Sequence, residues 1–261
     1  MGLTWKKEHI DIVLVPTGLL IMFCYHLFLL HRHLRLPHTT TMGHDNHYRG
    51  AWIEKMMQVE SKDRSQALTV INSNISAAFN LASISLVLSS LIGAWIGSSS
   101  ETTFTSQLIY GNTSQSVIAI KHISLLICFI VAFASFVQSA RCYVHSIFLI
   151  TMPNADIPIT YIQQAVVSAS NFWSVGMRAL YFATPLLMWV FGPVPMFASS
   201  LVTVVVLYNL DWNSTPLLAF QPAGERPEIL KKIGQEMTAV GRAIGQEMTA
   251  VGRAFEHHGR P

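Results

Sequence analysis

Charged residues are scarce in this sequence: Asp, Glu, Lys and Arg make up 12% of its 261 residues, whereas hydrophobic residues make up 51%. A soluble domain carries about 25% charged residues, so the composition and the mean hydropathy of +0.40 exclude that class. A transmembrane helix needs about 20 apolar residues. Four stretches of about that length or longer carry almost no charge, at 12–30, 75–97, 122–140 and 179–208. The sequence therefore predicts an integral membrane protein.

Cysteine is also rare, with only Cys24, Cys128 and Cys142, all in or at the ends of the apolar stretches. These positions exclude an extracellular disulfide framework and favour small side chains packed inside a helical bundle. The sequence also lacks a Ser/His/Asp arrangement, a phosphate-binding loop and a pair of intramembrane carboxylates. We therefore expect no enzyme activity, no cofactor and no metal site.

Lys and Arg are unevenly distributed between the connections of the apolar stretches. Residues 31–74 contain six of them, whereas residues 98–118 contain none. Because basic loops of this length are retained in the cytoplasm, the first connection is predicted inside and the second outside. The N-terminus then lies outside and residues 141–177 lie inside. The net charge of +3 is mild and suits lipid head groups better than nucleic acid.

Small residues recur at every fourth position of the second apolar stretch, at Ser85, Ser89, Gly93 and Gly97. Such a ladder lets two helix backbones approach closely in lipid. The third stretch carries a similar series at Ser124, Cys128 and Ala132. We therefore expect the second and third helices to be in contact.

The fourth apolar stretch is too long for one ordinary span. Its residues would form about 45 Å of helix, against a hydrocarbon thickness of about 30 Å. The segment Gly192-Pro193-Val194-Pro195 interrupts its middle, and proline removes backbone donors and clashes with the preceding turn. Two interpretations are open. The favoured one is a single tilted and kinked span, and the alternative is a re-entrant hairpin of two half-helices.

The basic connection contains an amphipathic pattern from about Arg49 to Val59. We expect a helix there that lies at the bilayer surface, with Asp45 or Asn46 as its N-terminal cap. The neighbouring histidines are too few to close a metal site. The apolar side of this helix is formed by Trp52, Ile53, Met56 and Met57.

The C-terminal tail has a different character from the rest of the chain. Residues 1–215 are predicted to form the transmembrane domain, and residues 216–261 a variable tail. The eleven residues 233–243 are repeated without change at 244–254. An 11-residue period keeps a nearly straight apolar stripe on a helix. The tail is therefore expected to order on a membrane surface or a partner, and a duplication without function is the alternative.

Two arginines lie beside apolar stretches and are the best candidates for a site. Arg141 continues the third stretch without a helix breaker, with His145 one turn later. Arg178 opens the fourth stretch, with Tyr181 one turn on. Charged residues in such settings usually face a bundle interior or an aqueous cavity, and the alternative is a pair of basic anchors that reach the head groups. These four residues are the predicted ligand-binding residues.

Several of these residues belong to a pattern that resembles a known family. The elements are Tyr48-Arg49 with Trp52, then Arg141 with Tyr143 and His145, then residues 172–182, Pro185-Leu186, Trp189 and Phe191-Gly192-Pro193. Over about residues 8–215 they resemble a plant family of multi-span membrane proteins catalogued as domain of unknown function 599. The resemblance implies a four-span membrane protein of plant origin and brings no activity.

The predicted fold is all-helical, with four transmembrane helices, a cytoplasmic amphipathic helix and an amphipathic tail. The leading function is a small channel or transporter-like protein with an anion-favouring polar cavity. The alternative is a non-catalytic membrane adaptor or assembly factor that binds lipids or partner proteins. The expected partners are the lipid bilayer and either a second copy of the chain or another membrane protein, not nucleic acid. The expected location is the plasma membrane or an endomembrane.

Overall fold

The computed structural model describes residues 7–58, 64–98, 114–152 and 157–212, with side chains from residue 11 and, in the second range, up to residue 95. The described residues form six α-helices and a 3₁₀ turn at Pro37–Thr39. The duplicated tail lies outside them. The helices are α1 Lys7–Arg35, α2 Thr41–Gln58, α3 Ser65–Ser98, α4 Gln115–Thr151, α5 Ile159–Trp189 and α6 Pro193–Asp211.

Four of these helices are long and apolar enough to cross a membrane, which confirms the predicted class. The candidate spans are Asp11–Arg35, Ser65–Trp95, Gln115–Thr151 and Pro193–Asp211. Helix α5 has 31 residues and is therefore about as long as these spans. Polar side chains such as Gln163, Gln164 and Asn171 make its first two thirds less apolar. It packs along α4, so the bundle contains a fifth long helix beside the four apolar ones.

The fourth apolar stretch does not form a single kinked span, so the favoured interpretation was wrong. Helix α5 ends at Trp189, and α6 begins at Pro193. Gly192 between them has φ of 141°, a conformation that side-chain-bearing residues rarely adopt. Proline at the first position of α6 has a fixed φ that suits a helix start. The re-entrant alternative was wrong as well, because α5 already begins at Ile159 and is no half-helix.

Helices α1 and α6 run in the same direction. Gly18 of α1 lies against Ser200 of α6, and further along both helices the Tyr25 hydroxyl reaches Asp211. At the same end the Thr41 hydroxyl donates to the carbonyl of Leu210. The end of α6 therefore lies beside the start of α2, on the side that the charge pattern predicts to be cytoplasmic.

Helices α3 and α4 are in contact, which confirms the predicted pairing. Ser85 and Ser89 are buried, and Ala132 on α4 is fully buried. Gly93 is exposed, however, and a Cβ placed there would meet nothing within 4 Å. The prediction for Gly93 was wrong because each four-residue step turns about 40° around a helix, so a strict ladder drifts off the contact face. Over residues 78–92 the buried positions of α3 follow three- and four-residue steps: Ala78, Ala82, Ser85, Ser89 and Ile92.

A helix forms in the basic connection, but it begins at Thr41 rather than near Arg49. Asp45 and Asn46 therefore lie inside α2 and do not cap it. The apolar side of α2 packs against protein rather than facing only lipid: Ile53 is fully buried in a cluster with residues of α3, α4 and α5. The Asn46 amide donates to Asn171 of α5 at 2.8 Å, and the Gln163 amide donates to the carbonyl of Gly50 at 2.9 Å.

Candidate functional site

The close pairing of α4 and α5 carries the candidate site. The buried Ser139 hydroxyl donates to the carbonyl of Ala169 at 2.7 Å and so links the two helices. Further along the pair, Gly176 lies against the ring of Phe136. A Cβ at Gly176 would come within 2.8 Å of Phe136 Cε1, closer than real contacts allow. The small residues on α5 therefore let the two helices approach closely and fix the relative positions of the side chains they carry.

One face of this helix pair forms a groove with a volume of about 740 Å³. We call it the α4–α5 groove. Its apolar part includes Leu149, Met152, Ile157 and Ala165. Its polar part is formed by Gln138, Arg141, His145, Tyr161, Gln164 and Ser168. A cation and several hydrogen-bonding groups beside an apolar wall match the two parts of an amphiphilic anion.

Arg141 and His145 are the two predicted site residues that the structure brings together. Both are exposed, and both line the α4–α5 groove. Within the described part of the chain, no carboxylate forms a salt bridge with Arg141, so its positive charge is uncompensated there. A guanidinium stays ionised in nearly every protein environment. The groove therefore presents a permanent positive charge.

Arg178 lies in a different setting, which we call the Asp211 cluster and define as Tyr25, Arg178 and Asp211. Arg178 binds both carboxylate oxygens of Asp211: Nη1 donates to Oδ2 at 2.6 Å, and Nη2 donates to Oδ1. The Tyr25 hydroxyl donates to Oδ2 of the same carboxylate at 2.6 Å. The side chains of Arg178 and Asp211 are only 22% and 12% exposed. The charge of Arg178 is thus compensated within the protein.

The Asp211 cluster joins three helices, α1, α5 and α6, at one end of the bundle. The adjoining contacts reinforce this junction, since the guanidinium of Arg32 stacks 3.7 Å from the ring centre of Trp212. Arg32 Nε also donates to the Thr39 hydroxyl at 2.8 Å. Tyr181, the fourth predicted site residue, is half-buried. Neither Tyr181 nor Arg178 is among the residues that line the α4–α5 groove.

Sequence reasoning missed Tyr25 and Asp211 as partners of Arg178. Asp211 ends the last apolar helix. Because charged residues in membrane segments usually pair with one another, its position was a signal that it could pair with a buried arginine. The pairing also requires the turn at Gly192. Along one continuous helix, residues 178 and 211 would lie about 50 Å apart, whereas the turn folds α6 back along α5.

Comparison with known proteins gives a family and no activity. A family model described as "Protein of unknown function, DUF599" matches residues 13–216, which is most of the chain. No curated protein matches the sequence, and no solved structure matches it. The plant origin and the particular membrane therefore stay predictions.

Proposed function

The chain belongs to this family of unknown function, and from that premise we propose that it is a small transporter-like membrane protein that binds an amphiphilic anion in the α4–α5 groove. The observation that carries the proposal is Arg141 beside His145 in a groove that is also apolar, with no carboxylate partner for Arg141 among the described residues. Arg141 would bind the anionic group, and Leu149, Met152 and Ile157 would contact the hydrocarbon part.

The chemistry of the groove supports an anion rather than a cation or a neutral lipid. A guanidinium can offer two parallel N–H donors to a carboxylate or phosphate group. The hydroxyls of Tyr161 and Ser168 and the amides of Gln138 and Gln164 add donors along the same groove. Among the described residues that line the groove none is acidic, so this part of the lining favours an anion over a cation.

The proposal assigns different roles to the two predicted arginines. Arg178 is occupied by Asp211 and Tyr25, so a ligand would have to displace a charge-assisted, bidentate interaction to reach it. We therefore place Arg178 in the structural framework. Tyr181, one turn away and outside the groove, belongs with it, and the ligand-binding set becomes Arg141 and His145.

The adaptor hypothesis has less support from the side-chain contacts. An adaptor that binds lipid head groups would use the basic residues of the segment 31–64. Three of its arginines, however, interact with protein groups. Arg32 donates to Thr39 and stacks on Trp212. Arg49 donates to Tyr143, and Arg64 donates to the carbonyl of Met57. The α4–α5 groove offers the more specific site, and we therefore favour a binding or transport function.

Flux measurements on the full-length chain in liposomes test the proposal. The probe is dodecyl phosphate, with dodecanol as the neutral analogue of the same chain length and inorganic phosphate as the headgroup alone. We expect protein-dependent movement of dodecyl phosphate and no protein-dependent movement of dodecanol. Removal of one charge-assisted, bidentate contact costs about 1.5–3 kcal/mol. Arg141→Gln should therefore lower the flux about tenfold or more at subsaturating probe, and Arg141→Lys should lower it less.

The matched control is Arg35→Gln, which removes an exposed arginine outside the groove. It should leave the flux unchanged. Equal flux of dodecyl phosphate and dodecanol, or full flux in Arg141→Gln, would contradict the proposal.

A further inference from the structure

A second pocket lies on the opposite side of the α4–α5 pair from the groove. It has a volume of about 280 Å³, and its polar and aromatic wall consists of Tyr48, Arg49, Trp52, Asn74 and Tyr143. These residues come from α2, α3 and α4, and Val166 adds a contact from α5. We call it the Arg49 pocket.

The Arg49 pocket and the α4–α5 groove are separate because successive residues on a helix point about 100° apart. On α4, Cys142 lines the groove and Tyr143 lines the Arg49 pocket. On α5, Ala165 lines the groove and Val166 lines the pocket. A ligand in the pocket would therefore contact none of the groove residues named above.

Arg49 is incompletely satisfied in this pocket. Its Nη1 donates to the Tyr143 hydroxyl at 3.3 Å, a long hydrogen bond to a neutral acceptor. Its Nε atom is buried, and within the described ranges no hydrogen-bond acceptor reaches it. No carboxylate within those ranges forms a salt bridge with Arg49. A partly buried guanidinium with an unmet donor and no counter-charge among the described residues is costly, and an anion in the pocket would supply the counter-charge.

We infer that the Arg49 pocket binds a compact oxyanion, the carboxylate or phosphate group of a small ligand. Arg49 supplies the charge and unused N–H donors, and the amide of Asn74 supplies a further polar contact from α3. The rings of Tyr48, Trp52 and Tyr143 supply flat walls. Its volume of about 280 Å³, against about 740 Å³ for the groove, suits a small ligand better than a lipid.

This inference does not depend on the proposed transport of an amphiphile, because the two sites share no residue. Each can fail without the other. The pocket also contains Tyr48, Arg49, Trp52 and Tyr143, four residues of the pattern described from the sequence, which the α4–α5 groove leaves unused.

The test is equilibrium dialysis of the full-length protein in detergent micelles against radiolabelled inorganic phosphate, with labelled acetate as the second probe. Sodium chloride holds the ionic strength constant. We expect saturable binding of at least one of the two probes, and the better probe identifies the phosphate or carboxylate class. Arg49→Gln should weaken that binding about tenfold or more, the loss that follows from removing a charged hydrogen-bond donor. Arg49→Lys should weaken it less, since the charge remains and the planar fork is lost.

One control locates the bound ion: Arg35→Gln should bind the probe with the wild-type dissociation constant. If Arg49→Gln does not fold, Arg49→Lys carries the test, and a several-fold loss supports the assignment. Absence of saturable binding to the wild type or unchanged binding in the Arg49 variants would each overturn it.

Discussion

Arg141 and Arg178 have similar surroundings in the sequence but different environments in the structure. Arg178 lies in the Asp211 cluster, and Arg141 lines the α4–α5 groove. Each arginine lies on a long helix beside an apolar stretch, and each has an aromatic or imidazole group one turn away. The structure pairs Arg178 with Asp211 and Tyr25, and it leaves Arg141 without a carboxylate partner among the described residues. The role of such an arginine therefore depends on the residues that surround it in the folded protein and not on the sequence of its own helix.

The largest effect on stability should follow from removing the carboxylate of the Asp211 cluster. Asp211→Asn leaves the mostly buried Arg178 without its counter-charge. Breaking a fully buried pair costs about 3–5 kcal/mol, and partial exposure lowers this to roughly 2–4 kcal/mol. Thermal unfolding in detergent micelles measures the change. Asp45→Asn, which removes an exposed carboxylate on α2, should have almost no effect. Equal unfolding temperatures for the two variants would show that the pair adds nothing.

The next largest effect concerns the helix pair that carries both arginines. Gly176→Ala forces a Cβ against the buried ring of Phe136 and should destabilise the protein by about 1–3 kcal/mol through overpacking. The matched control is Gly93→Ala, where the added Cβ meets nothing within 4 Å. Since alanine is the better helix former by about 1 kcal/mol, that variant should be neutral or slightly stabilising. The reverse order of the two unfolding temperatures would contradict the described α4–α5 contact.

A smaller effect should follow from Tyr25→Phe, which removes only the hydroxyl that donates to Asp211. The expected loss is about 1–2 kcal/mol, since a hydrogen bond to a charged group is lost while the Arg178 pair remains. In the Asp211→Asn background the same substitution should cost less, because the acceptor is already weakened. Strictly additive losses in this double-mutant cycle would show that the tyrosine and the carboxylate act independently.

The parts of the fold that the sequence predicts are those with a strong local signal. The apolar stretches show the candidate spans, Gly192 and Pro193 mark a break, and Ser85 and Ser89 indicate the face of α3 that meets α4. Helix α5 was missed before residue 179 because Gln163, Gln164 and Asn171 make its first part resemble a polar loop. These side chains lie on a helix because α2 and α4 pack against it. Such tertiary contacts leave no local pattern in the sequence.

The candidate site was predictable only in part, for the same reason. Arg141 and His145 are one turn apart on one helix, so their proximity follows from spacing alone. The partner of Arg178 is 33 residues away along the chain and reaches it only because α6 turns back at Gly192. Whether a charge is compensated depends on such long-range contacts, so the sequence could identify both arginines without separating their roles.

The most direct test of this account compares Arg141→Gln and Arg178→Gln by two measurements on the same purified protein, dodecyl phosphate binding and thermal unfolding. Arg141→Gln should lose binding about tenfold or more and keep the wild-type unfolding temperature, because its side chain is exposed and has no salt-bridge partner in the described structure. Arg178→Gln should lower the unfolding temperature, because it leaves the Asp211 carboxylate without its partner, and the molecules that remain folded should bind the probe as the wild type does. The opposite pattern, binding lost only in Arg178→Gln and stability lost only in Arg141→Gln, would contradict the account.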